Sequence, residues 1–339
     1  MGKRIVGISP WSPKDDTADY ALMQAAGIEW VRQGSAFPFG KDENDISPRY
    51  EGYFSRYKRA KAAGMRQACV SPIPAGFHYN KETDRREVYR SVPDWAGPFD
   101  SDLFYEVTFR AAKKLAEDTK DYIELWQVSN EMDIIEFHGD MTIEQAGRFY
   151  VAQAQGLRAG NPAAKLGINP ANYKSPESAY LYKACYEDNP GLMDYVGVDG
   201  YFGSWAAGKV QDWVEVIDFL YELTGKPVLI NEWGYPSTGG APMPDGTAKP
   251  CDCGHFRNAW REGQTEKEQA DYVAAGVRLM LTYPNCMGFL YYSWGDDETC
   301  WHCGKANCPA ECSWGITDGK NGPKPAYYAM KENVLKYNY

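Results

Sequence analysis

Short apolar and β-branched runs recur along this 339-residue chain, each pair separated by enough sequence for a helix. They fall at 4–8, 29–32, 65–70, 123–129, 165–169, 195–199, 228–231 and 288–293, which makes eight predicted strands. The intervening segments carry a different period. Ala270, Val273, Ala274, Val277 and Leu281 stand at i, i+3, i+4, i+7 and i+11, so they share one side of a helix. Ala146, Tyr150, Ala154 and Leu157 do the same. Thr142 with Gln145 three residues on reads as a capping box, and Ser175 before Pro176 as a helix start. Stop signals follow in "AAGM", "RAGNP", "LTGKP" and "LTYPN". Strands too apolar to keep a wet face, alternating with helices, predict a closed parallel α/β barrel, the (β/α)8 TIM barrel, rather than an open sheet. No repeat, low-complexity tract or linker divides the sequence, so residues 1–339 are expected to form one domain.

Charge narrows the partners. With 36 basic and 46 acidic residues, the formal charge of −10 argues against nucleic acid or an anionic membrane surface and makes a neutral ligand the easier fit. Aromatic residues form 14% of the chain, including 11 Trp and 25 Tyr, and their flat apolar faces with polar edges suit sugar rings. No apolar run approaches the ~20 residues that cross a bilayer. The opening "MGKRIVGISPW" enters a strand without the apolar stretch of a signal peptide, so the expectation is an intracellular chain or one whose signal has been removed.

In a parallel barrel the chemistry sits where strands end in their loops. The fourth run, "LWQVSNEMD", leads into Asn130 and Glu131, and the seventh, "PVLINEWGYP", leads into Asn231 and Glu232. Two glutamates at the tops of strands three places apart around the ring would face one cleft. Such a pair permits glycosidic cleavage, because one carboxyl can protonate the leaving oxygen while the other attacks the anomeric carbon, the two carboxyl groups standing about 5 Å from each other. A lone strand-end glutamate could equally cap the next helix.

"WQVSNEMD" and "PVLINEWGYPS" resemble the fourth- and seventh-strand signatures of the clan A retaining glycoside hydrolases, eight-stranded α/β barrels that include cellulases, mannanases, xylanases and β-glycosidases. The resemblance implies Glu131 as general acid/base, Glu232 as nucleophile and Asn130 as the partner of the sugar 2-hydroxyl. It further implies Arg32 of "EWVRQG" as the arginine that keeps the nucleophile ionised. Tyr201 of "VGVDGYFG" would donate to the nucleophile, and Trp294 of "LYYSWGDD" would form the aromatic floor under the sugar. Trp205 and Trp233 are additional candidate sugar platforms, while His78 and Asn169 carry less weight. Asp199 stands where many members of the clan have histidine, two residues before the tyrosine, which leaves the substrate open. The charge run "KETDRREVYR" reads as a solvated loop.

Cysteine usage adds a separate feature. Cys251, Cys253, Cys300, Cys303, Cys308 and Cys312 crowd the loops after the seventh and eighth strands, as a Cys-rich insertion. Their spacing fits a structural zinc site, with His255 or His302 as further ligands, and fits three disulfides as well; a cluster of free thiols is the third possibility. A metal here would shape the cleft wall near Trp260 or Trp301. Cys69, Cys185 and Cys286 read as buried free thiols. The expectation is therefore a retaining β-glycoside hydrolase acting on an oligosaccharide or polysaccharide of the β-1,4-glucan, mannan or xylan class, with no cofactor for catalysis. The alternatives are an exo-acting β-glycosidase and a non-catalytic carbohydrate-binding barrel. Endo against exo action and the oligomeric state stay open.

Overall fold

The computed structural model describes residues 3–10, 19–80, 82–83, 85–238, 256, 258–300, 303–304, 306, 308 and 311–338. All eight predicted strands form. They are β1 (Ile5–Ile8), β2 (Trp30–Gln33), β3 (Arg66–Val70), β6 (Leu125–Gln127), β7 (Lys165–Gly167), β8 (Val196–Asp199), β9 (Val228–Trp233) and β10 (Cys286–Tyr291). Every pairing among them is parallel, in the order β7-β6-β3-β2-β1-β10-β9-β8. Backbone bonds draw β7 and β8 together at the remaining seam: the Leu166 carbonyl accepts from Asp194 at 2.8 Å and Tyr195 at 3.3 Å, and Ile168 accepts from Gly197 at 2.8 Å. The result is an α/β barrel of the (β/α)8 type.

One segment differs from expectation. Residues 81–90, read as a loop, supply β5 (Arg85–Arg90), which pairs antiparallel with β4 (Ala75–Asn80) in a hairpin after the third barrel strand. The side chains of residues 86–90 are half-buried or exposed, so the ladder forms without the apolar alternation that marks a core strand.

The helices obey their sequence signals. Thr142 and Gln145 make the reciprocal capping box at the start of α5 (Ile143–Gly160), and Ala146, Tyr150, Ala154 and Leu157 are all buried on its inner side. In α8 (Glu266–Thr282) Val273, Val277 and Leu281 are buried as expected, whereas Ala270 and Ala274 are half-buried and Gln269, Tyr272, Gly276 and Met280 complete the inner face.

Inside the barrel, Trp30, Ala68, Leu125, Tyr195, Leu229 and Leu290 form an apolar plug at the bottom. Such a layer is a packed core, and it gives the groups above it a rigid floor. Close approach here needs two glycines: a Cβ on Gly167 would lie 2.5 Å from the Tyr195 ring, and one on Gly197 would lie 2.2 Å from Asn231 Oδ1.

Candidate active site

Two residues along from the plug on three of the strands, the interior turns polar, as period-two alternation allows. Arg32 follows Trp30, Gln127 follows Leu125, and Asn231 follows Leu229. Their side chains bond to one another. The Gln127 side-chain carbonyl accepts from Arg32 Nε at 2.9 Å and from Asn231 Nδ2 at 3.0 Å. Gln127 Nε2 donates to Asn130 Oδ1 at 2.8 Å. Pairing of this kind is what makes a buried polar layer tolerable.

Above that layer sit the carboxyl groups. Register breaks where β9 pairs with β8 and β10, so that Asp199 pairs with Glu232 two residues after Val198 has paired with Ile230. This irregularity lets consecutive residues Asn231 and Glu232 both reach the interior, and it returns Trp233 to the helix side. Glu232 meets Arg32 Nη2 at 2.5 Å and accepts from the Tyr201 hydroxyl at 2.6 Å.

At the end of β6 the chain departs from extended geometry: Ser129 and Glu131 have φ of 55° and 40°. Left-handed backbone at a residue with a Cβ costs about 1–2 kcal/mol, and strain of this kind is held in place by the surrounding bonds. Ser129 N–H is fixed by Ser71 Oγ at 2.8 Å. Asp133 accepts from the backbone of Ala171 and Asn172 at 2.9 and 2.8 Å, tying this loop to the one after β7. Asn130 Oδ1 receives three donors, Arg32 at 3.2 Å, Gln127 at 2.8 Å and Asn169 at 3.0 Å. That convergence orients the amide and sends Nδ2 toward Glu131 at 3.3 Å. Glu131, Asn130, Arg32 and Glu232 thus form one contiguous set.

The electrostatics separate the acidic groups. Glu131 is pushed well above the ordinary carboxylate range, first by burial and then by the charges of Glu232 and Asp133. Asp199, buried at the end of β8 and bonded by Asn169 Nδ2 at 2.6 Å, is raised by burial and then by Glu232 and Glu131. Burial alone would lower the Arg32 pKa, but Glu232 and Asp199 outweigh it and hold the guanidinium charged. Three carboxyl groups share one cation, and Glu232 is the one that touches it.

A cavity of about 280 Å3 opens over Arg32, Asn130 and Glu232, with Tyr53, Arg49 and Arg56 on its wall. Ser35, Arg49 and Ile73 also line a larger cavity of about 830 Å3 that runs along the β4–β5 hairpin and is bounded by Phe37, Phe39 and Phe137.

The aromatic expectations divide. Trp233 is fully buried against Tyr272, Phe289 and Tyr291, so it offers no face to a sugar; the β9 irregularity put it there. Trp294 is also buried, its indole N–H bonded to Asn321 at 2.6 Å and its ring against Tyr327. Tyr292, two residues beyond the plug residue Leu290, is the aromatic beside the site, 6.2 Å from the Tyr201 ring and 6.1 Å from Trp314. Alternation along β10 carries that signal, and resemblance to the Trp of "YYSWGDD" overrode it. Trp205 packs on Phe256 at 4.9 Å and on the thiols of Cys300, Cys303 and Cys308. Trp260 lies on Tyr272, with Arg261 over its ring at 3.8 Å. His78 is an exposed hairpin residue facing Glu87. Cys251, Cys253, His255, Trp301 and His302 lie outside the described residues. Cys69, Cys185 and Cys286 are buried free thiols, as expected.

No protein-family model matches the chain, and no curated protein matches it. Solved structures do. A GH5_18 protein from Streptomyces cattleya in complex with GlcNAc superposes with a TM-score of 0.70 at 16% identity, covering 99% of this chain and 80% of that one. A family 39 glycoside hydrolase from Bacteroides cellulosilyticus gives 0.67 at 15% identity, covering 99% and 64%. A GH2 beta-galacturonidase from Eisenbergiella tayi bound to galacturonate gives 0.63 at 16%, and this chain spans 52% of its length. The fold is therefore the (β/α)8 barrel that these solved structures share.

Proposed function

We propose that the chain is a retaining β-glycoside hydrolase, with Glu232 as nucleophile and Glu131 as the acid that protonates the leaving oxygen and then, as base, activates water. The observation that carries this reading is the unequal setting of the two glutamates. Glu232 is held in place by both the Arg32 guanidinium and the Tyr201 hydroxyl, as an attacking group must be. Glu131 is held in the protonated direction that a general acid needs. Asn130 Nδ2, fixed by the donors on its other end, is the group for the sugar 2-hydroxyl. The fold shared with GH5_18, family 39 and GH2 proteins agrees with this chemistry.

The larger cavity beyond the catalytic pocket supports an oligosaccharide or polysaccharide of the β-1,4-glucan, mannan or xylan class. A second reading has its own observation. Arg49 and Arg56 stand on the wall of the pocket that holds Glu232, and guanidinium groups suit a sugar carboxylate, so a β-linked uronide is the other substrate class. Aryl β-glycosides, including the glucuronide, assayed beside a plant polysaccharide panel decide between them. An activated 2-fluoro glycoside should label Glu232. Turnover that survives unchanged in both Glu131→Gln and Glu232→Gln would reject the assignment, and sugar binding without any turnover would leave a carbohydrate-binding barrel.

A further inference from the structure

We propose that Cys300, Cys303, Cys308 and Cys312, in the loop after β10, hold one structural zinc ion. The Sγ atoms of Cys300, Cys303 and Cys308 all lie within 4.8 Å of one another, and all three residues are buried. Four sulfurs around a tetrahedral zinc at the usual ~2.3 Å stand roughly 3.8 Å apart, so the trio is close to a ligand geometry. A disulfide would draw two sulfurs to about 2 Å and leave the third outside the bond, whereas one ion is shared by all of them.

The backbone builds the convergence from two tight turns. Gly304, at φ 64°, donates to the Cys300 carbonyl at 2.7 Å, and Cys312 donates to the Cys308 carbonyl at 3.0 Å. Cys312 packs against the other three, outside their 4.8 Å grouping, and is the residue we assign as fourth ligand. Binding replaces the thiol protons with one dication, so four S–H bonds become four Zn–S bonds and the protons leave to solvent. With four thiolates the coordination shell is closed, which makes the ion a staple rather than a reagent.

The staple reaches the active site. Trp205 packs on the thiols, Phe256 lies 4.9 Å from Trp205, Trp314 5.5 Å from Phe256, and Tyr201 5.0 Å from Trp314. Tyr201 is the donor to Glu232. Only this last step rests on the glycosidase reading.

Elemental analysis of the full chain, purified without chelator, should find close to one zinc per chain. An organomercurial should release that zinc while titrating the four thiols, and Cys300→Ser and Cys308→Ser should each abolish stoichiometric metal. A native chain without zinc, or one whose mass shows these cysteines oxidised in pairs, overturns the proposal; neither measurement requires a folded variant or any turnover. Where a substrate is in hand, zinc release should lower kcat/KM about tenfold, and zinc restored should recover it.

Discussion

Arg32 and Glu232 meet at 2.5 Å with side chains only 9% and 15% exposed, and the same guanidinium reaches Gln127 and Asn130. One cation therefore fixes both the Glu232 carboxylate and the Asn130 amide. Removing it leaves a buried carboxylate beside two others, and breaking a buried pair from one side costs about 3–5 kcal/mol. Arg32→Met should accordingly lower stability by that order in urea unfolding. Arg32→Lys keeps the charge but loses the fork that spans Glu232, Asn130 and Gln127. It should stay folded and lose roughly 100-fold in kcat/KM through misplacement of the reacting groups; an Arg32→Lys enzyme with unchanged kinetics would show that the charge alone suffices.

The raised pKa of Glu131 has a sign that can be checked by stability. A carboxyl whose pKa is higher in the folded chain than in the unfolded one binds more protons when folded, so unfolding becomes easier as pH rises from the ordinary carboxylate range through the folded value. Glu131→Gln removes that dependence. Its Tm should match the parent at acid pH and exceed it above, by roughly 2–4 °C for each kcal/mol of buried charge repulsion relieved. A pH scan of Tm by calorimetry reads this without substrate. Equal Tm values at every pH would show that Glu131 is not held in the protonated direction.

Activity should carry the same signature on its alkaline side. If Glu131 supplies the leaving-group proton, kcat/KM falls as pH rises through its raised pKa. Substrates with a good leaving group, such as dinitrophenyl glycosides, do not need that proton, and Glu131→Gln should cleave the first bond of these at close to the parent rate. Burst kinetics measure that step directly. Loss of the burst along with turnover would move Glu131 out of the acid role.

Much of this was legible in the sequence because it rests on local rules. Eight β-rich runs between amphipathic segments give a parallel barrel, and strand tops that end in Asn130-Glu131 and Asn231-Glu232 give the cleft. What the sequence concealed depended on register. The irregularity in β9 sends Trp233 outward, and Trp294 is buried against Tyr327. Gln127 and Asn169 gain their meaning from three-dimensional convergence on Asn130, which no spacing reveals. The hairpin strand β5 was hidden because its charged side chains stay partly in water.

Asp199, at the end of β8, is buried and bonded by Asn169. Its Oδ2 accepts from Asn169, which in turn donates to Asn130, while burial and two neighbouring glutamates raise its pKa. A protonated carboxyl and an amide have the same shape and both are neutral. Asp199→Asn should therefore keep kcat/KM within a few-fold and lessen the loss of stability as pH rises, whereas Asp199→Ala leaves Asn169 unsatisfied and should cost about 1–3 kcal/mol. A fall of 100-fold or more in Asp199→Asn would mean that this group works as an anion.

Trp233, fully buried, and Tyr292, beside Tyr201, should respond to substitution in opposite ways. Trp233 fills a fully buried space between Tyr272, Phe289 and Tyr291, so Trp233→Ala should cost about 3–5 kcal/mol from lost burial and the cavity left behind. The fraction that remains folded should retain its KM. Tyr292 is half-buried at the top of β10, with Tyr201 and Trp314 at its edges. Tyr292→Ala should lose less stability than Trp233→Ala and raise KM about tenfold, through loss of a ring face worth ~1 kcal/mol or more to a bound sugar. Urea unfolding and steady-state kinetics on the two variants separate the roles, and a raised KM in Trp233→Ala with Tyr292→Ala unaffected would reverse the assignment.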